Sequence, residues 1–568
     1  MYLDFHVKIP EVPGKITRRK KGNSTYIEFE YDRVYDPKRQ FTIAKRATIG
    51  KESTSDSLMM LPNQNFLKYF PDADLPDEKD RTTRSSCLRI GAYIVIRKII
   101  DDYKIPEMLG EYFEEKDIGL LLDLAAYSII SENNAGQYYP DYAYNHPLFT
   151  QGMKIYSDSK VSDFLRMITD DQSVGFLNAW NESKNHQEKI YLSYDSTNKN
   201  CQAGDIEMVE YGKAKVDNGL PIFNYAIAYD TKNKEPLFYE TYPGSINDVS
   251  QLQYMIDRAK GYGYKKIGFI LDRGYFSKKN IEYMEESGYS FVIMVKGMAS
   301  FVNDLILENK GKFESKRIHN ISEHRVYGMT VKKKLYLSDE KDRYFHIYHS
   351  SFKESAEREI IESKIEQMAN FLKKNANKAK EFGPGIEKYF ELYYDEAKKT
   401  FLFAIEKASV IEAEMALSGY FVIVTSEKMT AKEAISLYKS RDASEKLFRG
   451  DKSYLGNKSL RVYSDESASS KIFIEFIALI IRSKIYTALK GEMKNLDKKP
   501  NYMTVPAAIK ELQKIEMVRQ LDHVYRLDHA VTAMQKNILK AFGMDAPYIK
   551  YRANEISEKL AQKHKTNE

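Results

Sequence analysis

The chain has 568 residues, of which 43% are hydrophobic and 30% are charged. This length exceeds what one hydrophobic core organises and predicts several domains, while the composition is that of a folded globular protein and excludes a disordered chain. The net charge of +6 permits a polyanionic partner without requiring one. The two cysteines, Cys87 and Cys201, exclude a cysteine-rich zinc site. Without a signal peptide or an apolar run of membrane length, we expect a cytoplasmic protein with no membrane partner.

The first 185 residues are predicted to form two regions. Residues 1–60 alternate β-branched and aromatic residues with charged ones, as in YIEFEY at Tyr26–Tyr31, and predict a small β-rich arm. This arm contains the basic run KITRRKK at Lys15–Lys21, and such a run is usually a solvated surface. Residues 61–185 carry apolar positions at helical spacing and predict a helical region, for which DNA binding is the more specific interpretation.

The order of elements is clearest between residues 186 and 300. The predicted elements are strands at Lys189–Thr197, Ile222–Tyr229 and Pro236–Thr241, a helix at Ser245–Gly261, a strand at Lys266–Leu271, a helix at Ser277–Ser287 and a strand at Tyr289–Val295. Three successive strands favour an antiparallel meander, and strand–helix–strand units favour parallel crossovers. This is the element order of an RNase-H-like mixed sheet of five strands.

The remaining sequence predicts three further regions. Residues 301–425 contain strand-like runs around a charged helix at Phe352–Lys380 and predict a β-rich insertion. Residues 426–490 complete the core with a helix over 429–455, which a Thr430/Glu433 capping box begins. Residues 491–568 predict a helical C-terminal region. The expected fold class is therefore a multidomain α/β protein, with an RNase-H-like five-stranded sheet that the insertion interrupts and helical regions flank.

The helix after residue 429 carries an unusual set of side chains. Tyr438, Arg441, Glu445 and Lys452 fall within one helical stripe about 60° wide. An aromatic residue, two cations and a carboxylate make a poor core face but suit a metal site flanked by phosphate contacts. The simpler alternative is a solvent-exposed helix with an i,i+4 pair between Arg441 and Glu445.

Two aspartates lie near the ends of predicted strands. Asp195 faces away from the apolar side chains of its strand, and Asp272 directly follows the strand Lys266–Leu271. Open sheets with parallel strands place ligands beyond the carboxyl ends of those strands. The simpler alternatives are an Asx-turn at Asp195 and an ordinary strand-to-helix turn at Asp272. Three carboxylates with no imidazole or thiolate would suit two Mg²⁺ ions and phosphodiester chemistry.

These residues resemble the DDE transposases of insertion sequences, specifically the insertion-sequence-4 superfamily. Its Y-x2-R-x3-E-x6-K signature matches Tyr438, Arg441, Glu445 and Lys452, and its D-x-T and D-x-G-[YF] contexts match the residues that begin at Asp195 and Asp272. The resemblance covers about residues 187–480. One departure is that the only tryptophan, Trp180, lies outside the insertion, where some relatives use a tryptophan to hold a flipped base.

The resemblance implies a specific function. Asp195, Asp272 and Glu445 would be the catalytic and metal-binding residues, holding two Mg²⁺ ions for which Mn²⁺ would substitute. Tyr438, Arg441 and Lys452 would contact DNA. The partners would be double-stranded transposon ends and target DNA, bound by a homodimer associated with the nucleoid. Two alternatives stay open, namely an RNase-H-like nuclease that does not join strands and a domesticated transposase that only binds DNA.

Overall fold

The structure is a computed structural model. It describes residues 2–3, 5–22, 24–38, 40–54, 56–73, 75, 84–201, 206–212, 219–246, 248–296, 298–395, 397–455, 459–496, 500–520 and 524–565. The chain divides into two compact units, one formed by Met1–Ile168 with Lys484–Glu568 and the other by Thr169–Ser483. No helix in the described ranges is both long and apolar enough to cross a membrane.

The first unit begins with an antiparallel sheet. Its strands are β1 (Val7–Lys8), β2 (Ile16–Lys21), β3 (Ser24–Asp36), β4 (Phe41–Glu52) and β5 (Met59–Pro62), in the order β1-β5-β4-β3-β2. Helix α1 (Gln64–Tyr69) packs its Phe66 into the small core of this sheet. The basic run of β2 lies on an edge strand with exposed side chains, and cations on an edge disfavour pairing with another chain.

Helices form most of the rest of the first unit. Its next elements are β6 (Cys87–Arg89), α2 (Gly91–Asp102), α3 (Ile105–Gly110), α4 (Glu115–Ser131), α5 (Tyr139–Asn145) and α6 (Asp158–Met167). In the apolar helix α4, the carboxylate of Asp123 is fully buried and accepts hydrogen bonds from the backbone N–H groups of Phe149 and Thr150, at 2.6 and 3.1 Å. This bonding satisfies a charge-bearing group inside a core.

The second unit contains the elements on which the predicted site depends. In chain order these are α7 (Asp170–Glu182), β7 (Ile190–Cys201), β8 (Ile222–Asp230), β9 (Glu235–Pro243), α8 (Asp248–Gly261), β10 (Ile267–Leu271), α9 (Lys278–Glu286), β11 (Ser290–Met294), α10 (Ala299–Asn309), β12 (Asn320–Ile321), β13 (Val326–Lys333), β14 (Arg343–His349), α11 (Ser351–Lys374), α12 (Pro384–Glu387), β15 (Phe390–Asp395), β16 (Thr400–Glu406), α13 (Ala408–Ala416), β17 (Tyr420–Thr425), α14 (Ala431–Ser440), α15 (Asp442–Tyr454) and β18 (Ser459–Leu460).

Helix α16 (Asp465–Met493) leads from the second unit back into the first. There the chain ends with α17 (Val505–Leu512), β19 (Glu516–Arg519), β20 (Tyr525–Leu527), α18 (Ala533–Lys540) and α19 (Ala546–Lys565). Strand β19 pairs antiparallel with both β20 and β6, which ties the C-terminal segment to the beginning of the helical region. The C-terminal region therefore contains two short strands besides the helices that the sequence predicts.

A mixed sheet forms the centre of the second unit. The five strands predicted for it run in the order β9-β8-β7-β10-β11, antiparallel from β9 to β7 and parallel from β7 to β11. Strands β8 and β10 are buried along their whole length, so both faces of this part of the sheet are covered. On one side Trp180 of α7 is fully buried and donates its indole N–H to the Pro236 carbonyl, at 3.0 Å.

The sheet is larger than the expected five strands. Strand β17 adds antiparallel to β11, and β14, β13 and β12 follow it, so that ten strands including β18 join in the described part of the chain. The sequence places these strands in a separate insertion, but β14 and β17 are almost entirely buried. Because strands that are covered on both faces pack inside a layered sheet, β14 and β17 extend the central sheet instead of forming a separate subdomain.

The part of the insertion that stays outside the sheet is a small subdomain. It consists of α11, α12, the β15–β16 ribbon and α13 around an apolar cluster that includes Leu372, Phe390 and Phe401. Two predicted boundaries differ from the structure. The charged helix ends at Lys374 rather than Lys380, and the strand predicted from Gly385 begins at Phe390 because Pro384–Glu387 forms a helical turn.

Candidate functional site

Asp272 directly follows the end of β10, and Asp195 lies at the matching position of the adjacent strand β7, which continues to Cys201 rather than ending near Asp195 as predicted. Strands β7 and β10 are parallel, and Leu271 pairs with Tyr194, so Asp195 and Asp272 follow the same register position on adjacent strands. Adjacent strands lie about 4.8 Å apart. An oxygen of Asp195 accepts a hydrogen bond from the N–H of Ser196 at 2.9 Å. Asp272 precedes a short 3₁₀ turn without capping it through its side chain, which leaves its carboxylate for other contacts.

The glutamate-bearing segment is two helices rather than one. The Thr430/Glu433 capping box begins α14, which ends at Ser440, and α15 begins at Asp442. The prediction of one continuous helix over 429–455 is therefore wrong at Arg441. The side chains of Ser440 and Ser444 donate hydrogen bonds to the carbonyls of Leu437 and Arg441, at 2.6 and 2.8 Å. Serine hydroxyls that bond to helix carbonyls compete with the backbone ladder and bend the helix.

Arg441, at the junction of these helices, connects the candidate carboxylates. Its guanidinium contacts Asp272 Oδ1 at 3.3 Å and Glu445 Oε1 at 2.7 Å. Two carboxylates on one planar guanidinium lie at most about 8 Å apart. The hydroxyl of Tyr438 donates to the same Asp272 oxygen at 3.5 Å, a long hydrogen bond. The structure therefore brings Tyr438, Arg441, Asp272 and Glu445 together, although the helix does not continue unbroken.

The electrostatics of Arg441 include Asp195 as well. Burial alone would lower the pKa of Arg441, but Tyr438 and the carboxylates of Asp272, Glu445 and Asp195 together raise this pKa. Burial raises the pKa of Tyr438 to about 12 against the opposing effect of Arg441. The Arg441 side chain is 15% exposed, and among the described residues its Nε makes no hydrogen bond. This nitrogen is itself buried.

A pair of serines, which the sequence reading missed, fixes the glutamate helix to the sheet. The hydroxyls of Ser193 on β7 and Ser444 on α15 are buried and 2.8 Å apart. Ser193 precedes Asp195 by two positions and therefore lies on the same face of the strand, and Ser444 directly precedes Glu445. Period-two alternation from Asp195 is the sequence signal that could have identified Ser193.

The donor set at this site suits a hard divalent cation. Asp195, Asp272 and Glu445 offer oxygen atoms only, which is the ligand type that Mg²⁺ and Mn²⁺ prefer. Within the described ranges, no three His, Cys, Asp or Glu side chains are already grouped to hold a metal ion. Arg441 lies between Asp272 and Glu445, where it supplies the positive charge that these carboxylates require. Lys452 belongs to α15, but its side chain lies outside the described part of the structure.

Three comparisons with known proteins were made. A search of curated proteins gives no match. Among solved structures, a cryo-EM structure of the piggyBac transposase synaptic complex with hairpin DNA aligns over 83% of this chain and 85% of that chain, at 8% identity and a TM-score of 0.34. A family model described as "Transposase DDE domain" matches residues 192–481, which include Asp195, Asp272 and Glu445. Because this match covers half of the chain, the chain belongs to the family of transposases with a DDE domain.

Proposed function

We propose that this protein is a transposase of the insertion-sequence-4 superfamily with an RNase-H-like catalytic core. It would bind the terminal inverted repeats of its element, cleave the DNA there and join the ends to target DNA. The observation that carries this proposal is the single guanidinium shared by Asp272 and Glu445, with Asp195 at the matching position of the adjacent strand β7. Residues remote in the chain thereby lie together near the carboxyl end of β10. A surface helix with a local Arg441–Glu445 pair would not include Asp272.

Asp195, Asp272 and Glu445 are the residues that would hold the metal ions, two Mg²⁺ in the proposed mechanism, with Mn²⁺ as a substitute. When bound, two such ions supply activation of the attacking water and stabilisation of charge on the phosphoryl and leaving oxygens. The protein's contribution is to hold the three carboxylates on rigid elements. Parallel pairing fixes the two aspartates relative to each other, and the Ser193–Ser444 hydrogen bond fixes the glutamate helix.

Arg441 and Lys452 are proposed to contact the DNA near the cleaved end, and Tyr438 is proposed to act beside them. The guanidinium of Arg441 suits a phosphate group because it presents several N–H donors in one plane. Tyr438 is buried, so its role would be to orient Asp272 through its hydroxyl rather than to stack on a base. The helical region over residues 61–185 is the proposed end-recognition region, and the active form would be a homodimer.

The test is a cleavage assay on DNA that carries the ends of the element. We expect Asp195→Asn, Asp272→Asn and Glu445→Gln each to abolish cleavage in Mg²⁺ and to leave end binding largely intact. The matched control is Asp257→Asn, which removes an exposed carboxylate on α8 and should cleave normally. Near wild-type cleavage by any of the three variants would remove that residue from the catalytic set. Joining of a pre-cleaved end to target DNA separates a transposase from a nuclease that only cuts.

A further inference from the structure

The far end of the insertion subdomain carries a group of lysines from two chain segments. The lysine cluster consists of Lys373, Lys374, Lys378, Lys380, Lys398 and Lys399, all of which are exposed. Lys373 and Lys374 lie in the last turn of α11, Lys378 and Lys380 follow the helix, and Lys398 and Lys399 lie in the turn of the β15–β16 ribbon. The segments are joined by backbone hydrogen bonds from Asn377 N–H to the Phe401 carbonyl at 2.7 Å and from Phe401 N–H to the Lys378 carbonyl at 3.0 Å.

These lysines differ from others in the same subdomain. Lys388 pairs with Glu414 at 2.5 Å, and Lys353 pairs with Glu357 at 2.6 Å. Among the described residues, no carboxylate pairs with the ammonium group of any member of the lysine cluster; the Asp395 carboxylate accepts hydrogen bonds from the backbone N–H groups of Ala397 and Lys398. The ammonium of Lys378 instead donates to the Lys374 carbonyl at 2.8 Å, and that of Lys380 lies 4.5 Å from the centre of the Phe371 ring. Both groups keep further hydrogen-bonding capacity for an anion.

Stabilisation of the helix explains only part of this arrangement. Cations in the last turn of α11 interact favourably with the helix dipole, which accounts for Lys373 and Lys374. This effect fades beyond the last turn and does not extend to Lys380, Lys398 or Lys399. Lys399 also adopts a positive φ of 50°, a conformation that non-glycine residues seldom take. Like charges repel one another, and the six lysines lie on two segments that backbone hydrogen bonds join.

We propose that the lysine cluster is a second DNA-binding surface, which contacts phosphates of duplex DNA away from the carboxylate site. This inference rests on the proposed function, because the partner is taken to be the same DNA. A polyanion relieves the repulsion among the lysines, and each contact with a phosphate releases counterions from the DNA. The surface contributes affinity and position rather than sequence recognition, since phosphates are the same in every sequence.

The experiment measures binding of the full-length protein to a 5′-labelled duplex of arbitrary sequence, by fluorescence anisotropy over a series of NaCl concentrations. The test variant replaces Lys378, Lys380, Lys398 and Lys399 with glutamine and spares the two lysines of the last helical turn. Each lost phosphate contact makes the log–log salt dependence shallower by about 0.9. We therefore expect the slope to fall by about 2 to 4, with weaker binding at every salt concentration.

The matched control makes the same change of charge elsewhere in the second unit. It replaces the exposed lysines Lys265, Lys279, Lys312 and Lys316 with glutamine and should leave the slope near the wild-type value. Equal slopes for the two quadruple variants, in proteins with wild-type circular dichroism spectra, would overturn the inference. An acidic protein partner in place of DNA would likewise give equal slopes.

The outcome is separable from that of the proposed function. The Asp272→Asn variant should keep the wild-type salt slope although it does not cleave. The quadruple variant at saturating concentration should still cleave bound ends. If the two quadruple variants have equal salt slopes and the wild-type protein cleaves, only the inference about the lysine cluster is overturned. If their slopes differ but the wild-type protein does not cleave, only the catalytic proposal is overturned.

Discussion

Replacing Arg441 with glutamine should strengthen binding of divalent metal to the protein in the absence of DNA. The guanidinium contacts Asp272 at 3.3 Å and Glu445 at 2.7 Å, so it occupies the space between two of the three proposed metal ligands. A metal ion that enters must displace at least part of this ion pairing. Glutamine removes the competing positive charge while it retains a hydrogen-bonding side chain of similar length.

The size of the effect follows from the exposure of the partners. The side chains of Asp272 and Glu445 are 38% and 51% exposed, so solvent screens both contacts with Arg441. Ion pairs of this kind contribute about 0.5 kcal/mol each, which gives about 1 kcal/mol for the two. Because 1.4 kcal/mol corresponds to a tenfold change in affinity, the dissociation constant for metal should fall about fivefold.

Isothermal titration of the DNA-free protein with MnCl₂ measures this change directly. The exposed Arg317 supplies a control, since Arg317→Gln alters the net charge equally and should leave metal affinity unchanged. Weaker metal binding by Arg441→Gln would refute the reasoning, because it would mean that the guanidinium positions the carboxylates for the metal instead of competing with it. DNA binding should weaken in the same variant, with a salt slope shallower by about 1.

Two further predictions concern the scaffold. Ser444→Ala should lower the free energy of unfolding by about 1 kcal/mol, because the buried hydrogen bond to Ser193 is lost. The variant should also cleave more slowly than wild type without a change in DNA affinity. An unchanged cleavage rate would show that other contacts hold α15. Burial raises the pKa of Asp123 from 3.8 to about 7, so ionisation destabilises the folded state and this residue's contribution to stability falls as the pH rises from about 4 to about 7. Urea unfolding should show that the free energy of unfolding of wild type falls relative to that of Asp123→Asn as the pH rises from about 4 to about 7. A difference between the two proteins that stays constant with pH would contradict the raised pKa of Asp123.

Local signals in the sequence were sufficient for several features of the second unit. The Thr430/Glu433 capping box is present as predicted, because both of its hydrogen bonds lie within four residues. The strand ending at Leu271 lies beside the strand that carries Asp195, as the order of elements indicates. Apolar alternation and turn residues fix such elements, and the right-handed crossover rule limits how they can be arranged.

Features that depend on tertiary contacts could not be read in the same way. The helix breaks at Arg441, where the Ser444 hydroxyl donates a hydrogen bond to the Arg441 carbonyl and the Arg441 guanidinium contacts Asp272. A helical projection of the sequence shows neither contact. The extension of the sheet through β17 depends on an edge of β11 left open by the preceding chain. Apolar strands read one at a time do not show which neighbour they will pair with.

Strand β7 explains how residues so distant in sequence hold one site. Successive side chains alternate between the two faces of a strand, so Ser193, Asp195 and Lys199 share one face. Ser193 bonds to Ser444 on α15, and the buried ammonium of Lys199 pairs with the buried Glu475 on α16 at 2.8 Å. The ion pair joins α16 to β7, removal of one of its buried partners is costly, and the serine hydrogen bond joins α15 to the same strand. Asp195 lies between these two attachment points, on a rigid element where a metal-binding carboxylate can be placed precisely.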